Sequence, residues 1–443
     1  MVRRDARNAF FLSLPLTVVL AGAVFVLRSH ANERSDRVYK QADLIAKVLA
    51  LVDSNYVERF DDDKSWQLVY DGLKASTGKL DRYSVFLTPE ESRPFAEETH
   101  KNYVGVGFSA LPGAPAITVD FLFAGSPAEK AGIVAGDRVV AVGGRSLEGL
   151  AMDEAIQLVK GEPGTTVRLT VRGPDGGATR DVELERARIV QPTVLDARLV
   201  DPERKVGYVY VEGFGDSTVD ELDLAMERLV AQGMTALIID LRYDGGGLLD
   251  TCRTFANRFI ASGPIVGIKY RDEKEGVTHA ADPAQCRWPT LPLALLVNGQ
   301  TASAAEIVAG ALQDHKRALL VGDRTYGKGV VQSIYQLPLD EASGRSATLK
   351  ITTAEYLTPA GRIIEKSVTR KQKVLGGLEP DVRVRLDEAR DGELTRRIRL
   401  LHVPEKWRDH HLAATRQTLP DARDRQVDAA LAVLRGETPA QDF

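Results

Sequence analysis

The stretch Asn298-Gly-Gln-Thr-Ala-Ser-Ala-Ala-Glu-Ile-Val308 predicts a tight turn that opens directly into a helix. The apolar run from Leu293 to Val297 precedes it, and a short apolar run that ends in an Asn-Gly pair is typical of a buried strand followed by a turn. After the turn, apolar residues recur at helical spacing, which predicts a helix from about Ser303 to about Asp314. The stretch therefore predicts strand, turn and helix in immediate succession.

A second buried strand, predicted from Ala318 to Val321, completes a β-α-β unit. The two strands of such a unit are parallel, and the loops that leave them lie at the same edge of the sheet. The loop after the second strand therefore returns to the end of the helix that carries Ser303, and it carries Lys328 between two glycines. His315 lies about 18 Å further along the same helix, which excludes it as the partner of the serine if the helix is continuous.

Ser303 and Lys328 can act together as a nucleophile and its base. A serine hydroxyl is a poor nucleophile until a base takes its proton, and a lysine can take it when burial lowers the lysine pKa from about 10.4 toward neutrality. The alternative is that Ser303 only caps the helix and that Lys328 is solvated. Spacing alone does not decide between the two, because such constellations are recognised by geometry rather than by sequence order.

The segments from Thr301 to Asp314 and from Gly322 to Gln332 resemble the catalytic signature of the C-terminal processing (tail-specific) serine proteases. The resemblance implies Ser303 as the nucleophile, Lys328 as the general base and Gln332 as the side chain that orients the lysine. Ala305 stands where many members have serine, a difference that affects neither proposed catalytic group. The mechanism implied needs no metal, nucleotide or other cofactor.

A further strand-exit loop supplies the predicted oxyanion hole. The apolar run from Ala236 to Leu241 predicts a strand that is covered on both faces, and Arg242-Tyr-Asp-Gly-Gly-Gly-Leu-Leu249 follows it. Open α/β sheets place their sites in the crevice that such loops form, and acyl transfer needs N–H donors aimed at the oxyanion. The loop resembles the family's Arg-x-Asn-Pro-Gly-Gly segment, which implies donors at Gly246 and Ala304. Asp244 and Gly245 replace the usual Asn-Pro, and a flexible turn without a role is the alternative.

Residues 98–190 change in character, with short β-rich runs between glycine turns. Ser126-Pro-Ala-Glu129 predicts the start of a helix with a capping box, and Met152 to Val159 predicts a second helix. Together with the Gly-Asp turn between them, these features resemble a PDZ domain, whose carboxylate-binding loop matches Gly105, Val106, Gly107 and Phe108. Successive backbone N–H groups there bind a terminal carboxylate while the peptide adds a strand. The domain is expected to bind the substrate tail; a purely structural PDZ domain is the alternative.

The N-terminus predicts export of the chain. Arg3, Arg4 and Arg7 precede an uncharged stretch from Asn8 to Leu27, which is long enough to cross a bilayer and also describes a signal peptide. Ser29-His-Ala31 can serve as a cleavage site, while an uncleaved anchor in the cytoplasmic membrane fits equally. A core helix is the remaining alternative. Cleaved or anchored, the body of the chain is predicted to be periplasmic or otherwise extracytoplasmic.

With 443 residues, the chain is too long for one ordinary core and predicts a multidomain α/β (α+β) protein. A PDZ domain is expected between a helical N-terminal segment and an α/β sandwich Ser-Lys protease core. The predicted order is a signal peptide or anchor at 1–31, a helical region at 32–97, the PDZ domain at 98–190, the protease core at 191–385 and a helical region at 386–443. The two terminal helical regions are expected to serve in packing or in subunit pairing.

Composition and cysteine usage narrow the function further. A net charge of −4 gives no basic patch, so nucleic acid is excluded as a partner, and the seven histidines and two cysteines show no zinc-type spacing. Cys252 and Cys286 could form a disulfide in an oxidising compartment. Equally, Cys252 could be a small hydrophobic residue on a buried helix.

The sequence therefore predicts an exported serine endopeptidase that processes protein substrates from their C-terminal end. Its expected partners are proteins or peptides with accessible C-termini, and an adaptor or activating partner and a homo-oligomer stay open. One alternative is a catalytically inactive PDZ scaffold at the membrane, which the intact set of Ser303, Lys328 and Gln332 argues against. The other is an acyl-CoA enzyme of the crotonase type, which would have little use for export or for a peptide-binding domain.

Overall fold

The computed structural model describes residues 36–59, 61–111, 117–272, 276–340, 345–366, 376–415 and 424–438. These residues belong to two compact units, which divide between Lys79 and Leu80. The predicted signal peptide or anchor, residues 1–31, lies outside the described residues. Within the part that is described, no helix combines the length and the apolar content that a membrane span requires.

The first unit contains two helices, α1 at residues 36–55 and α2 at Asp62–Thr77. Asp61 caps α2 by accepting a hydrogen bond from the backbone N–H of Lys64 at 2.9 Å. Five of the eight apolar side chains whose spacing predicts these helices are 40% to 60% exposed in the single chain, namely Ile45, Val48, Trp66, Leu68 and Leu73, and the other three, Leu49, Val52 and Val69, are half-buried. The helices are as predicted, but the packing of this stripe is not observed in the described chain, and subunit pairing stays a prediction.

The second unit begins with β1 (Val85–Leu87) and α3 (Pro89–His100) and continues into the predicted PDZ region. The elements of that region are β2 (Asn102–Gly105), β3 (Phe108–Ala110), β4 (Ile117–Leu122), α4 (Pro127–Lys130), β5 (Arg138–Val142), β6 (Arg145–Ser146), α5 (Met152–Val159), β7 (Thr166–Arg172), β8 (Thr179–Glu185) and β9 (Ala187–Val190). Strands β3-β4-β5-β7-β8 form one antiparallel sheet with β6 beside β5, and β2 pairs with β9. The region thus has a sheet and core of its own.

The two helices predicted in that region are present, with one correction to the first. Ser126 Oγ accepts a hydrogen bond from the N–H of Glu129 at 3.2 Å, as predicted for a cap. The carboxylate of Glu129 accepts from the N–H of Gly125 at 2.7 Å, one residue before the position that a capping box requires. Because α4 is only one turn long and Pro127 opens it, the carboxylate binds the preceding glycine instead.

The rest of the unit is built on a six-stranded sheet with helices on both faces. Its elements are β10 (Val194–Asp201), β11 (Val206–Val211), α6 (Thr218–Ala231), β12 (Ala236–Asp240), α7 (Leu249–Asn257), β13 (Pro264–Tyr270), β14 (Val277–Ala280), β15 (Leu293–Val297), α8 (Ala304–Asp314), β16 (Ala318–Gly322), β17 (Val330–Asp340), β18 (Arg345–Leu357), β19 (Val382–Arg383), α9 (Glu388–Leu401), α10 (Arg408–Thr415) and α11 (Arg425–Leu434). The sheet order is β10-β11-β12-β15-β16-β19, and every pair except β10 with β11 is parallel.

Alternate residues of the central strands point to two separate cores. Leu237, Ile239 and Leu295 pack on one face with α6, α7 and α8. Ile238 and Leu296 pack on the other face with α9 and α11. Because both faces are covered, these strands read as continuous apolar runs, which is why the sequence predicts them so clearly.

A second, antiparallel sheet of β1, β18, β13, β14 and β17 packs its apolar side chains against α7 and α8. The hairpin predicted between Val266 and Trp288 is present as β13 and β14. The sequence analysis did not identify β17, which pairs with β18 over most of its length. Its burial is too low to produce a continuous apolar run, and Gln332 lies on it.

The two cysteines are not joined. Cys252 is fully buried on α7, and its thiol donates to the carbonyl of Leu249 at 3.1 Å. Cys286 donates to the carbonyl of Arg258 at 3.7 Å. Of the two alternatives for Cys252, a disulfide and a small buried hydrophobic residue, the structure therefore shows the second. Burial also raises the pKa of its thiol.

A buried ionic network fixes the exit of β12. The guanidinium of Arg242 is fully buried and donates to Asp240 at 2.8 Å, to Asp424 at 2.8 Å and to Gln426 at 2.8 Å. Asp424 also caps α11, accepting from the N–H of Gln426 at 3.0 Å. Burial lowers the pKa of Arg242, but the charges of Asp240 and Asp424 outweigh it, and the net shift is upward. The C-terminal helix is thus anchored to the residue that opens the glycine loop.

We expect the substitution Arg242→Met to lower the free energy of unfolding by about 3 to 5 kcal/mol, because it leaves Asp240 buried without a cation. The matched control is Arg390→Met, which breaks an exposed pair with Asp387 at 3.5 Å and should change stability by less than about 1 kcal/mol. Urea denaturation of the two variants measures both values. Equal losses in the two would contradict the assigned role of the network.

Candidate active site

Three loops leave the carboxyl ends of the parallel strands β12, β15 and β16 and are hydrogen-bonded to one another. The N–H of Ala302 donates to the carbonyl of Asp244 at 2.9 Å, and the hydroxyl of Thr301 donates to the carbonyl of Leu241 at 2.8 Å. The N–H of Tyr326 donates to the carbonyl of Thr301 at 3.0 Å. The loops that the sequence analysis places at one sheet edge therefore do meet there.

Ser303 lies immediately before α8 in an unusual backbone conformation. Its φ of 58° and ψ of −117° lie in a region that residues with a Cβ rarely adopt, and its side chain is almost fully buried. Such a conformation costs about 1 to 3 kcal/mol and persists only where surrounding bonds hold it. Here the N–H of Ser303 donates to Glu306 Oε2 at 2.9 Å, and its carbonyl accepts from the N–H of Ile307 at 3.1 Å.

Glu306 joins the serine to the lysine loop. Its side chain is fully buried, and its two oxygens accept from Ser303 N at 2.9 Å, Gly327 N at 2.8 Å, Lys328 N at 2.8 Å and Thr325 Oγ1 at 2.5 Å. The same oxygen, Oε2, accepts from both Ser303 and Lys328, so these two backbone nitrogens lie within two hydrogen-bond lengths of each other. Burial raises the pKa of Glu306, and the four donors oppose that rise.

The sequence analysis quoted Glu306 without assigning it a role. The available signal was the Ser-x-x-Glu pattern of a capping box, in which the glutamate binds the N–H of the capping residue. The bond to Ser303 is of that kind. The bonds to the lysine loop could not be foreseen from a local motif, because they join different strand exits.

Lys328 is half-buried, and its environment favours the neutral amine. Burial lowers its pKa from the ordinary 10.5, and the charge of Lys350 lowers it further, while Glu306 and Glu365 oppose the shift. The ammonium nitrogen lies 5.3 Å from the centre of the Tyr83 ring. Among the residues that the structure describes, no hydrogen bond joins Lys328 Nζ to Ser303 Oγ.

Among the described residues, Gln332 makes no hydrogen bond to Lys328. Its side-chain amide donates to the carbonyl of Val330 at 3.2 Å, and the described residues include no bond from it to Lys328. The pairing of β17 with β18 is irregular between Val331 and Gln332, which changes the direction of the side chain there. The orienting role that the resemblance implies for Gln332 stays a prediction.

The two predicted oxyanion donors lie beside the serine. A Cβ added to Gly246 would come within 2.8 Å of Ser303 Cβ and 2.9 Å of Ala304 N, so only glycine allows this approach. The N–H of Ala304 has no acceptor among the described residues. The N–H of Gly246 donates instead to the Asp244 side chain, with 2.7 Å between Gly246 N and Asp244 Oδ1. One predicted donor is therefore free within the described part, and the other is engaged.

The predicted carboxylate-binding loop borders a large groove. Gly107 has a φ of 87°, and a Cβ there would come within 2.2 Å of Ser126 Cβ, so the loop passes directly against the start of α4. The cavity has a volume of about 1160 Å³ and is lined by residues 105–110 and by Ile156 and Val159 of α5, and it extends beyond them to residues 194–198 of β10 and to residues 401–405 at the end of α9. The part of the cavity between β3 and α5 lies where a PDZ domain adds a peptide strand.

The described residues contain no group of three or more His, Cys, Asp and Glu side chains that could hold a metal ion. The groups that meet at the strand exits are the hydroxyl of Ser303, the amine of Lys328 and backbone N–H groups. Such a set is suited to acyl transfer through a serine nucleophile.

Comparison with known proteins places these features in context. A model of Peptidase family S41 matches residues 205–384, and a PDZ domain model matches residues 124–173. The chain is 31% identical over 375 residues to the Carboxy-terminal processing protease CtpA of Bacillus subtilis, covering 84% of this chain and 74% of that protein. It is 31% identical over 361 residues to the Carboxyl-terminal-processing protease of Picosynechococcus, and the match covers 77% of this chain and 85% of that protein. A solved photosystem II D1 C-terminal processing protease is 28% identical, covers 77% of this chain and 92% of its own, and has a TM-score of 0.42.

The strained backbone of residue 303 predicts an order of stability among its variants. Because glycine adopts positive φ without steric penalty, Ser303→Gly should be more stable than Ser303→Ala by about 1 kcal/mol. Thermal denaturation of the two variants measures the difference. An alanine variant that is equally stable or more stable would show that the conformation at residue 303 carries no strain.

Proposed function

The chain belongs to peptidase family S41 and is a serine protease of the C-terminal processing type, and from that premise we propose that Ser303 and Lys328 form its catalytic dyad. The observation that carries the proposal is the shared oxygen of Glu306, which accepts from the backbone N–H groups of both residues. Two chain segments that are distant in sequence are thereby held together at the start of α8. The buried surroundings of Lys328 supply the second requirement, an amine whose pKa is lowered.

The proposed reaction proceeds in two steps. The Ser303 hydroxyl attacks the scissile carbonyl while neutral Lys328 takes its proton, and the protonated lysine then passes that proton to the leaving amine. Water, deprotonated by Lys328, hydrolyses the acyl-enzyme and restores the hydroxyl. The N–H groups of Ala304 and Gly246 would stabilise the oxyanion in both steps. The side chains of Ser303 and Lys328 must approach to hydrogen-bond distance when substrate binds, as catalytic pairs commonly do.

The PDZ domain gives the proposed enzyme its preference for chain ends. A substrate C-terminus would add a strand along the groove between β3 and α5, with its carboxylate on the backbone of residues 105–108. The cavity lined by residues 105–110, Ile156 and Val159 supports this placement. We further propose that the enzyme is exported and acts in the periplasm or at the outer face of the cytoplasmic membrane, on the basis of the three arginines and the uncharged stretch at the N-terminus.

A cleavage assay tests the dyad. The soluble part of the chain is incubated with an unfolded protein that has an apolar C-terminus, beside Ser303→Ala and Lys328→Ala variants of equal folding by circular dichroism. We expect the parent to cleave and both variants to lose at least about a thousandfold in kcat/KM, as removal of a nucleophile or its base does elsewhere. A folded parent that leaves the substrate intact would favour the inactive scaffold.

The same assay with an amidated substrate tail tests the PDZ role. Amidation removes the charge that the loop of residues 105–108 is proposed to bind, so cleavage should slow mainly through a higher KM. Equal rates for the free and the amidated tails would show that the groove does not recognise the terminal carboxylate.

The pH dependence of cleavage should report on Lys328. The base must be neutral, so activity should rise with pH through the pKa of Lys328, which burial and Lys350 hold below 10.5. Lys350→Met removes a positive neighbour and should move this rise to higher pH, whereas Glu365→Gln removes a negative neighbour and should move it to lower pH. The control Lys316→Met, at the far end of α8, should leave the profile in place. Shifts in the same direction for Lys350→Met and Glu365→Gln would exclude Lys328 as the titrating group.

A further inference from the structure

The Asp244 side chain occupies one of the two N–H groups that the proposed mechanism needs. Gly246 N lies 2.7 Å from Asp244 Oδ1, and the bond is buried. Gly246 is also the residue whose Cβ, if present, would contact Ser303 and Ala304. The carboxyl group of Asp244 thus binds an oxyanion donor at the point where substrate should bind it.

Among the residues that the structure describes, the N–H of Gly246 is the one hydrogen-bond donor to this carboxyl. Asp244 is fully buried, and its second oxygen, Oδ2, has no hydrogen-bond partner among the described residues. The backbone of Asp244 is fully used, since its N–H donates to Leu241 and its carbonyl accepts from Ala302. An ionised carboxylate buried in this way is strongly unfavourable, because a single N–H replaces the several donors that water would provide.

Four charged or titratable groups act on Asp244 or are acted on by it, from β11, α7 and the end of α3. They are Glu212 after β11, Tyr210 on β11, Cys252 on α7 and Lys101 at the end of α3. Lys101 is the cation of this set, and its amine is already paired with Glu98 at 2.6 Å and with Glu212 at 3.8 Å. The charge of Lys101 is therefore largely compensated by glutamates before it acts on Asp244.

These surroundings favour the neutral carboxyl. Burial raises the pKa of Asp244 well above its usual range, and the charge of Glu212 adds to the rise, while the N–H of Gly246 and the charge of Lys101 oppose it. A neutral carboxyl is the weaker acceptor, because hydrogen bonds to charged groups are roughly twice as strong as those between neutral groups. It also carries no charge to repel an oxyanion that forms nearby.

We propose that Asp244 is a positioning residue that gates the oxyanion hole by its protonation: the neutral carboxyl releases the N–H of Gly246 to the substrate, and the ionised carboxylate retains it. The inference rests on the proposed function, because the donor has a catalytic role only if Ser303 attacks a carbonyl. The pH dependence that Asp244 gives to the activity is opposite in direction to the one that Lys328 gives. Activity requires neutral Lys328 and rises with pH, whereas it requires neutral Asp244 and falls as pH rises through the pKa of that carboxyl.

The test compares wild type with Asp244→Asn, which keeps a neutral acceptor of the same shape and removes the titration. Values of kcat/KM are measured from about pH 5 to about pH 10 with the unfolded protein substrate. We expect kcat/KM of the wild type to rise with pH as Lys328 becomes neutral and to fall again at alkaline pH as Asp244 ionises. The variant should show the same rise without the alkaline fall. The ratio of variant to wild type should therefore increase with pH, to about tenfold or more at the alkaline end.

The matched control is Asp250→Asn, which makes the same charge change at an exposed side chain near the start of α7. Its profile should follow that of the wild type. An Asp244→Asn profile of the same shape as the wild type, or lowered equally at every pH, would overturn the proposal, because a purely structural role predicts a uniform loss. If Asp244→Asn does not fold, the pH profile of the wild type still tests the proposal. A kcat/KM that reaches a plateau at alkaline pH would contradict a gate that closes when Asp244 ionises.

A second readout separates this inference from the proposed function. The rate at which a fluorophosphonate labels Ser303 depends on the serine and the oxyanion hole but not on the PDZ groove. In the wild type it should fall at the same alkaline pH as kcat/KM, and in Asp244→Asn it should not. A wild type that neither labels nor cleaves, like Ser303→Ala, would refute the catalytic dyad itself. Labelling that depends on Ser303 but is identical in wild type and Asp244→Asn would refute the gate alone.

Discussion

The carboxylate of Glu306 is the interaction on which the rest of the site depends. Burying a charge is unfavourable unless donors replace its hydration, and four donors from two strand exits do so here. The bonds act in both directions: they satisfy the carboxylate, and they give partners to backbone N–H groups that the glycine-framed loop would otherwise bury unsatisfied. They also hold Ser303 in a backbone conformation that it would not adopt alone.

A second buried ion fixes the opposite side of the crevice. Arg242 lies two residues after the end of β12 and is bonded to Asp240, the last residue of that strand, and to Asp424 at the cap of α11. The residue after it, Tyr243, donates its N–H to the side chain of Asn298 in the turn before Ser303 at 3.1 Å. The glycine loop is thus held at its base by a salt bridge and along its side by the nucleophile turn. Gly246 can approach Ser303 because both ends of its loop are fixed.

The central sheet and the meeting of the loops could be predicted from sequence, and the polar network could not. Strands covered on both faces leave a continuous apolar run, such as residues 293–297, and the geometry of parallel strands then places their exits together. The bonds of Glu306 to residues 325–328 and of Asp244 to Gly246 are mostly to backbone groups, which every sequence possesses, so no residue pattern signals them beyond the capping-box bond of Glu306 to Ser303. β17 was missed for a related reason: it is exposed along much of its length and shows no simple periodicity.

The apolar stripe of α1 and α2 shows the converse limit. Helical spacing at Ile45, Val48 and Trp66 predicts the helices, because periodicity depends on local geometry. Whether such a stripe is buried depends on what covers it, and in the single chain it is exposed. Periodicity therefore predicts the secondary structure of this unit but not whether its side chains are buried. In the central sheet, the continuous apolar runs predict both the strands and their burial.

Burial unites the two titrating groups of the site. For Lys328 and for Asp244 it is the largest influence on the pKa, and it lowers the first and raises the second, so it favours the uncharged form of each. An uncharged amine can accept the serine proton, and an uncharged carboxyl can give up its N–H, so one physical cause prepares both the base and the oxyanion hole. The neighbouring charges then adjust each group separately, Lys350 acting on the base and Glu212 on the carboxyl. Acyl transfer as proposed needs both groups neutral, and substrate that further excludes water would favour the neutral form of each.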